Sequence, residues 1–496
     1  MREPVGLRLA EVDEAEVVIE KLVAGGDGLG RVEGVPLLVP RSAPGDRLRV
    51  KITERHPDYG RGEIVEILTP GPGRREPPCS YFGSCGGCDL QHLDDALQTR
   101  LKVTAALETL SRLGGVTLDR VPRIVAGSPF GYRLRTQLHT EPLEQRALLG
   151  YHARRSNELV VVDRCPVLVP DLERALPVLA ATVNASSPQR LDLAAGRRGS
   201  WTISPRIEGL PGGEVELEVD DLTFRYDARV FFQGHRGLVG ELIAAVVGEA
   251  GGELAFDLYG GVGLFALPLA RRYAKVVMVE GDRVAGRFAR LNARGNKLDN
   301  VEVVGQAVET WLPELPREAE RVVVDPPRTG LSKAVRNQLL RGRPRRLTYA
   351  SCHAATLGRD LKDLLRGYDL ESVTFLDLFP QTGHIETVVQ LTANAVEIPE
   401  PTPYQPPPAQ ARRQPPGRGR PPRQPGPGVG RPGGRPPGPP RGPRRPAPPG
   451  EPGRPPRPGP PSRPGPRGPG RPAPGRPGSG PTGRGGRGPS RGPARG

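Results

Sequence analysis

Ala255-Phe256-Asp257-Leu258-Tyr259-Gly260-Gly261-Val262-Gly263-Leu264-Phe265 joins one apolar run to another through closely spaced glycines. The pattern reads as a strand, a sharp turn and a helix. Glycine there lets the backbone turn tightly and come close to a ligand. About twenty residues on, the apolar run Val276–Glu280 closes on a carboxylate, Glu280. In this register a carboxylate accepts hydrogen bonds from ribose hydroxyls. Gly260, Gly261, Gly263 and Glu280 are therefore candidate cofactor contacts.

From about residue 236 helical and apolar stretches alternate. The apolar runs are Leu254–Leu258, Val276–Glu280, Val301–Val304 and Arg321–Asp325, with helices expected at Leu264–Arg272 and Arg283–Asn296. This alternation predicts a doubly wound α/β domain with a largely parallel sheet, over residues 231–397. A nicotinamide dinucleotide would use a similar turn. The loop departs from the full dinucleotide fingerprint, however, and Asp-Leu-Tyr-Gly-Gly-Val-Gly resembles the first motif of Rossmann-like methyltransferases, which implies S-adenosylmethionine.

Upstream the pattern is different. Residues 11–70 pack short apolar runs and Gly-rich turns into sixty residues, which predicts a small antiparallel barrel. Arg41, Arg47, Arg49, Lys51 and Arg55 are scattered over it, as on a nucleic-acid-binding barrel. Residues 71–230 read as a β-rich region, with a helix near 94–114 that is expected to pack on the α/β domain.

Downstream, residues 398–496 are dominated by Pro, Gly and Arg and are expected to be disordered. Residues 401–496 hold 20 Arg against one acidic residue, a net +19; the whole chain carries +16, so residues 1–400 carry −3. The basic balance belongs to the tail, where it suits salt-sensitive contact with phosphates or simple solubilisation. No basic stretch followed by an apolar run opens the chain, and no 18-residue apolar window occurs, so a cytoplasmic protein without a membrane span is expected.

Five cysteines in such a chain point to metal or catalysis rather than a disulfide framework. Cys79-x5-Cys85-x2-Cys88 and the distant Cys165 form a four-thiol set for a metal, and spacing alone leaves zinc and iron–sulfur open. Cys352 is left over. It follows the apolar run Leu347–Ala350, as at a strand end. A free cysteine is often just a small buried hydrophobe. Here Asp325-Pro326-Pro327-Arg328 ends an earlier strand, Glu386 interrupts an apolar C-terminal strand, and Phe231-Phe232-Gln233 precedes the glycine loop. A lone carboxylate in an apolar strand costs stability unless it is paired or used.

One chemistry uses the whole set. Uracil C5 is a poor nucleophile toward a sulfonium methyl, and thiolate addition at C6 makes it a good one. A base must then remove the C5 proton so that the thiol can leave. The kit is one Cys, one carboxylate, a pyrimidine-recognising side chain and the cofactor loop.

Residues 11 to about 395 resemble the RNA uracil-5-methyltransferases, in particular the iron–sulfur-containing 23S rRNA type. The resemblance runs through the turn Gly25-Gly26-Asp27-Gly28-Leu29-Gly30-Arg31, similar to a TRAM domain, and the four-cysteine set. It continues through Gly131-Tyr132-Arg133, Phe-Phe-Gln, Asp-Pro-Pro-Arg, Tyr349-Ala350-Ser351-Cys352 and His384-Ile385-Glu386-Thr387-Val388. It implies that Cys352 is the nucleophile and Glu386 the proton acceptor. Gln233, Tyr259, Glu280 and Asp325 would line the methyl-donor and target-base pocket, with Phe231 near a flipped base. Cys79, Cys85, Cys88 and Cys165 would hold a [4Fe–4S] cluster in a structural or RNA-positioning role. The family commonly has Asn where this chain has His353 and His235, and some members have Asn at Leu264.

The expected product is 5-methyluridine in 23S rRNA, made by a monomer, with a tRNA uridine as the alternative. A non-catalytic RNA-binding or assembly factor would have lost Cys352 or Glu386. An amino-directed methyltransferase would carry an aromatic residue at Arg328 and would need no covalent Cys.

Overall fold

The computed structural model describes residues 13–396 apart from residue 318. The tail expected to be disordered lies outside the described residues, as do the first two residues expected in the barrel. Alternating burial in Glu14–Leu22 (β1), Gly28–Val32 (β2), Val35–Val39 (β3), Arg47–Arg55 (β4) and Gly60–Thr69 (β5) closes a barrel in the order β1-β2-β3-β5-β4. Val17, Ile19, Leu37, Val39, Leu48, Val50 and Ile52 fill it. The barrel is not antiparallel throughout: β3 pairs with β5 in parallel, because β4 intervenes in sequence but not in space. Its surface charge also differs from the expectation. Arg47 pairs with Glu16, Arg49 with Glu66 and Arg55 with Asp13, so cross-strand carboxylates neutralise much of the basic scatter.

Asp95–Gly114 (α1) ends where Gly115 takes the left-handed conformation. Arg123–Ala126 (β6) follows. Arg135–Leu143 (β7), Arg146–His152 (β8), Leu159–Val161 (β9), Arg190–Ala195 (β10) and Trp201–Ser204 (β11) form a five-stranded sheet in the order β11-β10-β7-β8-β9. Pro170–Thr182 (α2) interrupts this β-rich region and buries Leu172, Leu176 and Leu179; its interior Pro177 hides the helical period from a sequence reading. Val215–Val219 (β12) and Leu222–Tyr226 (β13) make a hairpin.

The alternation after residue 236 becomes Val239–Val247 (α3), Gly252–Leu258 (β14), Ala266–Leu269 (α4), Tyr273–Val279 (β15), Arg283–Gly295 (α5), Val301–Val304 (β16), Val308–Trp311 (α6), Arg321–Val324 (β17), Lys333–Gly342 (α7), Arg346–Ser351 (β18), Ala354–Leu364 (α8), Tyr368–Asp377 (β19) and Glu386–Ala393 (β20). The helix expected over Leu264–Arg272 is confined to one turn. The eight-stranded sheet runs β16-β15-β14-β17-β18-β20-β19-β6. Strands β14 to β18 are mutually parallel, and β20 lies antiparallel between β18 and β19. Apolar clusters cover both faces, one including Leu242, Leu267 and Phe288, the other Leu110, Leu339 and Leu357. Burial on both sides is why these strands read as continuous apolar runs. The strand order reverses between β14 and β17, and the crevice at such a switch point is where ligands bind.

Candidate active site

The carboxyl edge of the sheet collects the candidate residues. Tyr259 follows β14, Glu280 follows β15, Asp325 follows β17 and Cys352 follows β18. Glu386 reaches the same edge from the opposite direction: β20 is antiparallel and starts there, with Ser351 paired to Thr387. The sequence alone places Glu386 within a strand; the structure makes it the first residue of one.

The glycine loop is shaped by packing as well as by access. A Cβ on Gly260 would stand 2.5 Å from Cγ of Met278, so only glycine lets the turn lie against β15. Gly263 has φ +94°, and a Cβ there would stand 2.5 Å from Leu267, which ties it to the entry of α4. The Gly261 amide donates to Oε2 of Glu280 at 2.7 Å, and the Asp282 amide donates to Oε1 at 2.6 Å. Asp282 in turn caps α5, accepting from the amides of Val284 and Ala285.

Phe231, Gln233, Tyr259, Gly260, Gly261, Glu280, Asp325, Cys352 and Glu386 all line one cavity of about 560 Å³. Gly263 does not. Gln233 is buried, and its Oε1 has no partner within the protein. A buried acceptor left open in this way is costly unless a ligand fills it. Burial, with Asp325 alongside, holds the Glu386 carboxyl well above the usual carboxylate range. Burial likewise pushes Asp325 up to about 7. The Cys352 thiol is pushed up to about 11 by burial and by Glu386, against the pull of the nearby Arg328 guanidinium. Arg328 also meets Nε2 of His384 at 3.2 Å. The arrangement can hold a nucleophilic sulfur, a carboxylate base and a cationic methyl donor within one cavity.

Comparison with known proteins agrees with this geometry. Residues 214–394 match the family described as tRNA (uracil-5-)-methyltransferase, and residues 8–65 match the TRAM domain. The chain is 34% identical over 416 residues to a protein of Pectobacterium atrosepticum named 23S rRNA (uracil(1939)-C(5))-methyltransferase RlmD, covering 75% of this chain and 92% of that one. The chain belongs to the RNA uracil-5-methyltransferase family. An RNA methyltransferase of Thermosynechococcus vestitus is 31% identical, covering 76% of this chain and 98% of that one. Among solved structures, the Pyrococcus abyssi tRNA (uracil-54, C5)-methyltransferase in complex with S-adenosyl-L-homocysteine superimposes with a TM-score of 0.60 at 25% identity, covering 76% of this chain and all 100% of that one. The enzyme is thus an S-adenosylmethionine-dependent methyltransferase, and its first barrel is a TRAM domain. Among the described residues no helix is long and apolar enough to cross a membrane.

The departures from the family's Asn positions have local explanations. His353 caps α8: its Nδ1 accepts from the Thr356 amide at 3.3 Å, a task Asn performs equally well. His235 is buried, stacks on Tyr132 with ring centroids 4.7 Å apart, and meets the Ser128 carbonyl through Nε2. Leu264 lines the same cavity as Cys352 and Glu386. Sequence reasoning left Arg328 without a role although its motif was in view, and it missed Phe379, which also lines this cavity.

Cys79, Cys85, Cys88 and Cys165 line a second cavity of about 520 Å³, and all four are free thiols. Phe231, Phe232, Arg328 and Phe379 border both cavities. Among the described residues no three Cys, His, Asp or Glu stand close enough to hold a metal ion. The structure therefore gathers the four thiols without closing a coordination sphere. Four thiols are a donor set suited to a thiophilic centre; with nothing bound, burial pushes Cys88 up to about 12 and raises Cys85 and Cys165, which keeps these thiols protonated. Arg133, partly buried, lines the same cavity and stacks its guanidinium over the Tyr132 ring.

Proposed function

We propose that the enzyme methylates C5 of one uridine in 23S rRNA, using Cys352 as nucleophile and Glu386 as base. The observation that carries the chemistry is the convergence of Cys352, Glu386, Asp325 and the glycine loop on one cavity. Relatives named for 23S rRNA at 34% identity favour rRNA over the tRNA named for the archaeal structure at 25%. By that relationship the target is the counterpart of uracil 1939.

S-adenosylmethionine, when bound, would supply an electrophilic methyl group on a sulfonium. The Cys352 sulfur gives up its proton to solvent, with the Arg328 guanidinium near the resulting thiolate, and adds to C6 of the flipped base. The electron pair of the C5–C6 double bond moves onto C5 and O4, and C5 then takes the methyl. Glu386 removes the C5 proton, and the C5–H electrons restore the double bond as the Cys352 sulfur leaves. Its raised proton affinity makes the Glu386 carboxylate a stronger base than an exposed one. Asp325 and Gln233 serve the donor and the pyrimidine edge, Phe231 packs near the base, and Glu280 holds the ribose.

Cys79, Cys85, Cys88 and Cys165 would hold a [4Fe–4S] cluster, whose cationic irons would offset the charge of four partly buried thiolates. We further assign the enzyme to the cytoplasm, acting as a monomer. Mapping 5-methyluridine in 23S rRNA from cells lacking the gene tests the substrate. One site should disappear, return with the wild-type gene and stay absent with Cys352→Ala. Loss of a tRNA site instead would overturn the rRNA reading.

A further inference from the structure

The barrel reaches the methyl-transfer site through backbone. Gly25 and Gly26, in the β1–β2 turn, lie against Gly383, three residues before Glu386. A Cβ on Gly383 would stand 2.3 Å from the Gly25 carbonyl, and one on Gly26 would stand 2.9 Å from Cα of Gly383. The same turn walls a small cavity of about 140 Å³ shared with Cys352, His353, Gly383 and His384.

The contact is braced on both sides. Asp27 is buried and binds Arg61 at 2.8 Å and Arg154 at 2.7 Å. Arg154 also meets Asp89 at 3.4 Å, and Asp89 accepts from the Gly383 amide at 3.1 Å. The amides of Asp89 and Leu90 both donate to the Gln381 carbonyl. Leu22 and Ala43 of the barrel join Leu90 and Leu93 in a separate apolar cluster. A domain tethered only to capture RNA needs none of this, and much of its basic surface is already paired.

We propose that the Gly25-Gly26 turn positions the Gly383–Glu386 segment, so that the barrel governs the rate of the chemical step as well as RNA affinity. The inference rests on the reading of Glu386 as the base. Gly26 is then a positioning residue, and a misplaced Glu386 should stall the reaction after methyl transfer, with the methylated RNA still bound to Cys352.

The test compares Gly26→Ala with Gly34→Ala. Gly34 also has positive φ in a turn of the same barrel, but a Cβ there meets nothing within 4 Å. Gly26→Ala should lower kcat about tenfold or more while the RNA KM stays within about twofold. It should form the 5-fluorouridine adduct normally and accumulate the methylated covalent species on ordinary RNA. Gly34→Ala should do neither. If Gly26→Ala does not fold, Arg154→Gln loosens the same brace without crowding it and should shift kcat in the same direction. A raised RNA KM with unchanged kcat, or identical behaviour of the two glycine variants, overturns the proposal. Glu386→Gln separates the two layers: if it fails to hold the methylated adduct, the reading of the base is wrong. If it holds the adduct and Gly26→Ala does not, the positioning role is wrong.

Discussion

Oε2 of Glu280 accepts the Gly261 amide at 2.7 Å, so the carboxylate at the end of β15 and the glycine turn after β14 are one structural unit. With Oε1 held by the Asp282 amide, the rotamer is fixed before any ligand arrives, and each oxygen keeps a lone pair for a ribose hydroxyl. Glu280→Ala should therefore weaken S-adenosylhomocysteine binding by about tenfold to a hundredfold, measured by calorimetry, with RNA affinity unchanged. Equal cofactor affinity in the variant would remove Glu280 from the site.

Asp325 and Glu386 both ionise less readily in the folded enzyme than in an unfolded chain. The folded state thus keeps protons that the unfolded chain releases. The resulting stabilisation is full below the ordinary carboxylate range and is lost as pH rises through about 7. The ligand-free enzyme should melt lower at alkaline pH. Asp325→Asn, which cannot ionise, should raise Tm by on the order of 5 °C at about pH 8 and by much less at about pH 5. A gain independent of pH would show that Asp325 carries no such burden.

His353 acts here through its cap on α8, which requires an unprotonated Nδ1. Burial, with Arg328 and Arg359 nearby, lowers its proton affinity and keeps it neutral. His353→Ala should cost about 1 kcal/mol in urea denaturation, whereas His353→Asn should stay within about 0.5 kcal/mol of wild type and keep its activity. Inactive His353→Asn would reveal a chemical role.

The four thiols make a separate prediction. Anaerobically purified enzyme should contain iron and show a broad visible absorption band, and Cys88→Ser should lose both. Zinc in place of iron, by elemental analysis, would refute the cluster while leaving the thiol site intact.

The candidate site was legible in the sequence because each part answers a strict local demand. A tight turn against Met278 needs Gly260, and the covalent chemistry needs one thiol and one carboxylate. Hence Cys352, Glu386, Asp325 and Glu280, hundreds of residues from the barrel, stood out as candidates in the sequence, and all four line one cavity. Gly263 was readable as a turn residue, but it serves the α4 entry rather than the cavity. The His353 cap left a local signal, a polar residue opening a helix. The meeting of Gly26 with Gly383 left none, since contacts between residues 357 positions apart depend on how whole domains dock. The same holds for Arg154 bridging Asp27 and Asp89, and for Arg47, Arg49 and Arg55 of the barrel, whose charges are paired.

The covalent role of Cys352 is tested most directly with RNA carrying 5-fluorouridine at the target position, incubated with S-adenosylmethionine and resolved under denaturing conditions. Fluorine cannot leave as a proton, so the methylated adduct should persist as a single protein–RNA species in wild type and be absent from Cys352→Ala. An adduct of equal yield in Cys352→Ala, or none in the wild-type enzyme, would contradict the mechanism.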